Sequence, residues 1–476
     1  MVGPYQLKSY NFLGDSFEVF RLFQDEPFVF FLDSSLKGHP KGRFSFIGFD
    51  PFEIFQNKGS NSLKDLRAAF EKYFAYEQKK VKNIPVPFFS GIVGYFAYDF
   101  AFNLEKVKLK SQDDLYLPDC FFGFYDAVIA IDHLKNKLHV ISTGLPERNF
   151  YLREKRAQYR LEKVIKKLSS YSAHQGAVIA GNRDGQNETE LDFDCNFTKA
   201  TYLNVVQKAL EYIRQGDIYQ VNLAQRFLFD ARRHDVEIHA PELYQSLRRL
   251  SPSSFSGYLD CGHFQILSSS PEEFLHLRDG IAQTRPMKGT RPRGNNPKED
   301  KKMKTGLLES QKDKAELLMI TDLERNDLGR VCEYGSVKVK KMRTLEEYKT
   351  VFQTTSLIEG GLRSDKDCFD LMGASFPSGS VTGCPKIRAI EIIEELEPTR
   401  RAIYTGSLGY INSFGDINFN ILIRTLLLKD EKIFFHAGSG IVSDSTPENE
   451  YNETLIKAKA LKESLLSLPQ MKKVGV

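Results

Sequence analysis

Two stretches of this chain each set a pair of acidic side chains three residues apart within a helix-like run. In KDKAELLMITDLERND the pair is Asp313 and Glu316; in PENEYNETLIKAKAL it is Glu450 and Glu453. An i,i+3 spacing puts both members of a pair on one helical face. Four carboxylates converging from two helices repel one another, so they make a poor structural contact. They make a good oxygen set for a hard divalent cation such as Mg²⁺. The plain alternative is two solvated helix faces. Lys457, one turn beyond Glu453, is on the same footing: as a surface i,i+4 pair it contributes only a few tenths of a kcal/mol.

A second group sits in SSSPEEFLHLRDGIAQTRPMKGTRPRG, which carries Glu272 and Lys288. A lysine among three arginines reads most simply as part of a basic surface loop. Buried beside a ligand, its pKa falls and it becomes a neutral amine nucleophile. A fall of about three units corresponds to roughly 4 kcal/mol, which folded surroundings must impose. Two Gly-rich segments add possible binding elements. FPSGSVTGCPKIRAIEIIEELE runs into a helix with Pro385 near its start, where free backbone N–H groups favour an anion. In FFHAGSGIVSDS, Gly438 and Gly440 let a ligand approach the backbone closely. The nine histidines show no zinc spacing, and neither a Walker A loop nor a GxGxxG turn is present.

The elements that must position these residues read as mixed α and β. Residues 1–168 alternate aromatic-rich strand-like runs such as PFVFFLDSS with turns, and close with a helix over Asn149–Leu168. Residues 169–196 are polar and aperiodic, and are read as a linker or surface loop. Residues 197–468 form the second unit. It opens with a helix capped by Thr198, striped by Tyr202, Val205, Ala209 and Ile213, and ended by Gly216. DIYQVNLAQRFLF follows as a strand with Tyr219, Val221, Leu223 and Phe227 on one face, and a helix over Glu448–Leu468 closes the chain. The 476 residues exceed one ordinary core, and a net charge of +4 gives no concentrated basic face for nucleic acid. Six scattered cysteines fit reduced thiols, and no signal peptide or membrane-length apolar run is seen, so a cytoplasmic protein is expected.

Taken together, the segments GDIYQVNLAQRF, SPEEF, RPMKGTRPRG, KDKAELLMITDLERNDLGRV, FPSGSVTGCPKIRAIEIIEELE, YTGSLGY, IRT, AGSGIV and ENEYNET resemble the chorismate-utilising enzymes. That family includes anthranilate synthase component I, aminodeoxychorismate synthase component I, and isochorismate and salicylate synthases. FLDSS, RFSFIG and FSGIVGYFAYD extend the likeness to the first half. The resemblance implies an α+β fold, an α/β sandwich of large antiparallel sheets flanked by helices in two lobes. It implies Glu316 and Glu453 as direct Mg²⁺ ligands supported by Asp313 and Glu450. It implies Tyr404 and Arg424 on the enolpyruvyl carboxylate, and Gly289, Thr290, Ser380, Thr382, Gly438, Gly440 and Lys457 around the substrate. Glu272 resembles the acid/base at the ring hydroxyl. Ser34, Arg43 and Ser45 match a region that binds tryptophan in relatives.

Within the family, lysine in P-M-K-G-T is similar to the aminodeoxychorismate synthases, whereas anthranilate synthases usually carry a small residue there. The resemblance then implies that Lys288 attacks ring C2 while Glu272 protonates the departing C4 oxygen, after which ammonia adds at C4 and expels the lysine. The expected product is 4-amino-4-deoxychorismate, on the route to p-aminobenzoate and folate. No glutaminase motif is present in the chain, so ammonia is expected from a separate glutamine amidotransferase subunit. Two positions depart from the family pattern: Leu317 and Gln353 stand where many relatives have histidine. The second departure fits an enzyme that stops before pyruvate elimination. The main rival is anthranilate synthase component I; a nucleic-acid-binding protein using the basic segment RPMKGTRPRGNNPKEDKK leaves the acidic pairs without a purpose.

Overall fold

The computed structural model describes residues 5–36, 42–75, 84–170, 191–234, 236–348 and 351–466. Its aromatic-rich runs become strands that are apolar on both faces. Along Phe30–Asp33, Phe30 enters one apolar layer and Phe31 another; Phe46 and Ile47, Tyr95 and Phe96, and Phe121 and Phe122 divide in the same way. Such doubly buried strands need cover on both sides, and each fully buried Phe contributes about 2–3 kcal/mol toward that arrangement.

The strands form two antiparallel sheets. The larger runs, in spatial order, through Gln6–Asn11, Lys137–Ser142, Ala127–Asp132, Phe44–Gly48, Phe30–Asp33, Phe255–Asp260, Phe264–Ser270, Thr425–Lys429, Lys432–Ile441, Gln220–Asp230 and Gly383–Cys384. The smaller runs through Met287–Pro292, Val351–Gly361, Ile281–Thr284, Glu273–Arg278, Ile417–Asn420, Ser407–Asn412, Gly91–Phe96, Cys120–Tyr125 and Glu53–Asn57. One core fills the space between the sheets, with Phe46, Ile266 and Leu427 meeting Tyr95, Phe121 and Tyr410. A second packs helices Phe150–Leu168, Ala240–Leu250 and Pro447–Leu465 on the outside of the larger sheet. A third packs Ser62–Phe74, Gln311–Gly329 and Cys368–Ser375 outside the smaller one. The molecule is therefore two antiparallel sheets flanked by helices.

Each sheet draws strands from both sides of residues 169–196. Phe30–Asp33 pairs with Phe255–Asp260, and Gly91–Phe96 with Ser407–Asn412. Of the segment read as a linker, residues 171–190 lie outside the described residues, while Asp194–Cys195 pairs with Gln220–Asp230. The helix at Lys199–Gln215 carries the Thr198 cap, and Gly216 ends it at φ +83°. Its buried residues are Tyr202, Val206, Ala209 and Leu210, with Val205 and Ile213 packed half-buried against the same core. The following strand starts at Gln220. Tyr219 is left 70% exposed and does not share the buried face expected of it. The last helix spans Pro447–Leu465.

Candidate active site

Two of the short links at which the chain crosses between the sheets carry the charged side chains Glu272 and Arg424. Glu272 lies between Phe264–Ser270 of the larger sheet and Glu273–Arg278 of the smaller. Arg424 lies between Ile417–Asn420 and Thr425–Lys429, held in left-handed backbone at φ +51°. The site forms where these links meet the two acidic helices, Gln311–Gly329 and Pro447–Leu465.

Lys288 is on the edge strand Met287–Pro292, at a register shift between Lys288 and Thr290. Gly289 occupies that shift at φ +77°, and a Cβ there would meet Leu307 at 2.8 Å and Asp313 at 3.0 Å. Only glycine permits this bulge against the first acidic helix. The Lys288 side chain is 15% exposed, and its Nζ lies 3.8 Å from Glu316 Oε2. It reaches across to the larger sheet, where a Cβ on Gly440 would sit 3.3 Å from Nζ and 3.0 Å from Gln220 Nε2. Burial lowers the Lys288 pKa, opposed first by Glu316 and supported by Lys457. The amine expected as a surface-loop residue in the plain reading thus faces an enclosed cleft.

The carboxylates divide by surroundings. Glu272 is buried, accepts a 3.4 Å hydrogen bond from the Met287 N–H, and is pushed up to about 7 by burial, against the opposing effects of Ser380, Lys288 and Lys457. Burial also raises Glu316. Burial would raise Glu453 too, but Lys457 at 2.7 Å and Lys288 bring it below the usual carboxylate range. Asp313 pairs with Arg291 at 2.9 Å. Glu450 is 4% exposed, and no hydrogen bond or ion pair among the described residues reaches its carboxylate. Among the described residues, no three His, Cys, Asp or Glu side chains are gathered in a metal-holding group. Lysine ammoniums hold the Glu316 and Glu453 charges instead.

The opposite wall is built for an anion. The Arg424 guanidinium is largely withdrawn from solvent, its pKa is lowered by burial, and among the described residues its one side-chain hydrogen bond goes to Ser251 Oγ at 3.4 Å. Tyr404 stacks on His436 with centroids 4.8 Å apart, and its hydroxyl lies 2.9 Å from where a Cβ on Gly438 would stand. The Thr405 N–H donates to the Leu422 carbonyl at 2.8 Å, tying together the segments that carry Tyr404 and Arg424. Lys457 donates to the Gly438 carbonyl at 2.9 Å.

The remaining expected residues vary. The Ser380 hydroxyl lies beside Glu272 and lowers its pKa. Thr382 is fully buried and its hydroxyl donates to the Ser378 carbonyl at 2.9 Å, so that proton is used inside its own loop. Thr290 is exposed and its Oγ1 accepts from Gln353 at 3.5 Å. Ser34, Arg43 and Ser45 form a separate polar cluster in the larger sheet. Ser34 donates to the Phe44 carbonyl, Arg43 pairs with Asp132 at 2.8 Å, and Ser45 contacts His133 at 2.8 Å.

Three site residues went unnoticed in the sequence. Both amide atoms of Gln220 and the Oδ1 of Asn222 are buried without partners beside Gly440 and Gly438. Their alternation with Val221 and Leu223 is a signal of a strand with one polar face, which ordinarily means solvent. Here that face is the floor of the cleft. Glu324, discussed below, is the third.

The profile of the chorismate binding enzyme family matches residues 28–463. Anthranilate synthase component 1 of Aquifex aeolicus is 37% identical over 454 residues, covering 92% of this chain and 89% of that protein. Aminodeoxychorismate synthase component 1 of Bacillus subtilis is 35% identical over 437 residues, covering 89% of each. The crystal structure of anthranilate synthase component I from Streptococcus pneumoniae has the same fold, with a TM-score of 0.74 and 32% identity over 89% of this chain and 93% of that one. The chain belongs to the chorismate binding enzyme family. It is an enzyme acting on chorismate, and among the described residues no helix is long and apolar enough to cross a membrane.

Proposed function

We propose that the chain aminates chorismate at ring C4 to give 4-amino-4-deoxychorismate, as an aminodeoxychorismate synthase component I, on the way to p-aminobenzoate and folate. The observation that carries this reading is the Lys288 amine inside the cleft, over Gly440 and between the acidic helices and Glu272. Arg424 and Tyr404 receive the enolpyruvyl carboxylate, and Lys457 offers a second cation near the substrate. The amine attacks ring C2, the double bond shifts, and Glu272 transfers its proton to the C4 oxygen as that bond breaks. Ammonia, delivered by a separate glutamine amidotransferase subunit, then adds at C4 and expels Lys288. Double displacement leaves nitrogen on the carbon that lost oxygen.

Glu316 and Glu453, with Asp313 and Glu450 behind them, would hold Mg²⁺. The all-oxygen donor set and the partnerless buried carboxylate of Glu450 fit such an ion. When bound it would neutralise the ring carboxylate and stabilise the charge that develops there. Anthranilate synthase component I is the second reading, supported by relatives of that name at comparable identity.

One assay tests both the reaction and the ion. The isolated chain, given chorismate, ammonium and Mg²⁺, is expected to form 4-amino-4-deoxychorismate, identified by mass spectrometry and NMR. Anthranilate as the main product would overturn the reading. In the same assay Glu453→Gln should shift the Mg²⁺ titration to at least about tenfold higher concentration; an unchanged titration removes Glu453 from the ligand set.

A further inference from the structure

Glu324 lies two turns beyond Glu316 on the helix Gln311–Gly329 and has no part in the chemistry above. Its side chain is buried, and no lysine or arginine among the described residues pairs with it. Its Oε1 lies 3.0 Å from Ser378 Oγ, and its Oε2 lies 2.6 Å from Thr284 Oγ1. Thr284 Oγ1 is also 2.9 Å from the Phe274 carbonyl. A hydroxyl has one hydrogen, so it cannot donate to both acceptors. When it serves the carbonyl, the contact with Glu324 needs a proton carried by the carboxyl itself.

That carboxyl is connected to the site. Ser378 Oγ lies 3.0 Å from Ser380 Oγ, and the Ser380 hydroxyl lies beside Glu272 and lowers its pKa. Ser378 Oγ also accepts the Ser380 N–H at 3.2 Å, which leaves it one lone pair and one hydrogen for the chain of hydroxyls. The hydroxyls of Ser380 and Ser378 therefore stand between Glu272 and Glu324, and each can donate toward either end. In one direction Glu272 holds the proton; in the other Glu324 does.

We propose that Glu324 shares a proton with Glu272 through the hydroxyls of Ser378 and Ser380, reloading Glu272 from inside the protein. The proposal rests on the acid role given to Glu272 above. After Glu272 gives its proton to the departing C4 oxygen, Ser380 passes a proton to Glu272, Ser378 to Ser380, and Glu324 to Ser378. Both serines end as hydroxyls and one proton has moved. When ammonia has added, the proton lost by the new ammonium nitrogen returns along the same path and restores Glu324. The charges around the pair favour this sharing. Burial lifts Glu324 to about 8, with Glu272 and then Asp327 raising it further, while Lys288 and Lys457 act on Glu272, which stands at about 7.

Glu324→Gln keeps an acceptor for Ser378 and a donor for Thr284 but cannot release a proton. It is expected to lower kcat about tenfold with KM for chorismate within about twofold. Glu324, at about 8, is the later of the two to ionise, so its removal should take the upper step, near pH 8, out of the basic limb of the kcat/KM profile. Ser378→Ala cuts the path while leaving both carboxyls, and should reproduce the fall in kcat. Glu324→Asp should restore part of it. Infrared spectra of the substrate-free protein at about pH 6 give a readout that needs no turnover. The parent and Ser378→Ala should show protonated buried carboxyl absorbance larger than that of Glu324→Gln by one carboxyl, since Glu272 also holds its proton at this pH. An unchanged band in Glu324→Gln, or a pH profile superimposable on the parent's, overturns the proposal. Because the infrared measurement uses no chorismate, it stands or falls apart from the product assay.

Discussion

Lys288→Ala should lower kcat on the order of a thousandfold, roughly 4 kcal/mol of barrier, while KM for chorismate changes by less than about fivefold. The asymmetry follows from what the amine does. Its contacts in the substrate-free cleft are with Glu316 and the glycine floor rather than with a group placed to hold an anion. A bond made only along the reaction path contributes to turnover and little to ground-state binding. Whatever turnover survives should carry nitrogen at C2, since ammonia then has no displaced position to enter. Equal losses in kcat and affinity would assign Lys288 a binding role and remove the argument for amination at C4.

Arg424→Ala should raise KM for chorismate about a hundredfold or more and leave the melting temperature unchanged or higher. A guanidinium drawn from solvent with no acidic partner among the described residues carries an uncompensated desolvation cost in the free protein, and burial is the cause lowering its pKa. An anionic substrate relieves that cost, and leaving such a carboxylate unpaired costs about 2–5 kcal/mol. Steady-state kinetics and thermal denaturation separate the two effects. A large fall in melting temperature with KM unmoved would make Arg424 a structural residue.

Much of this site is visible in the linear sequence because its chemistry is local. The acidic pairs lie on single helices, where i,i+3 spacing fixes their common face, and the glycines of AGSGIV declare a close approach. Glu272 and Lys288 are likewise adjacent to turn residues that mark where strands end. What the sequence hides is any role set by the packing of distant segments. Gln220 and Asn222 alternate as an ordinary wet strand face would, and only the second sheet closing above makes that face a cleft floor. Glu324 reads as one acid among several in DLERND, and its proton depends on Thr284 and Ser378 from two other elements. Asp313 matches a ligand position by spacing, yet Arg291 of the lysine strand holds its carboxylate.

The fold divides along similar lines. Aromatic runs predict strands correctly because both faces of each are buried, and the Thr198 and Gly216 caps set their helix from local hydrogen bonding and φ. The expectation for Tyr219 fails at the start of the strand, where its N–H still donates to the Cys384 carbonyl but its ring lies in solvent. Sheet order cannot be read from periodicity at all: Phe30–Asp33 beside Phe255–Asp260 joins segments more than two hundred residues apart.

The most direct measurement is the mass of the intact protein after mixing with chorismate and Mg²⁺ in the absence of ammonia, followed by peptide mapping. The account predicts a gain of one chorismate less one water, located on Lys288 and discharged when ammonium is added. A protein that stays at its original mass while converting chorismate to product once ammonium is supplied, with no adduct trapped at any time, would contradict it.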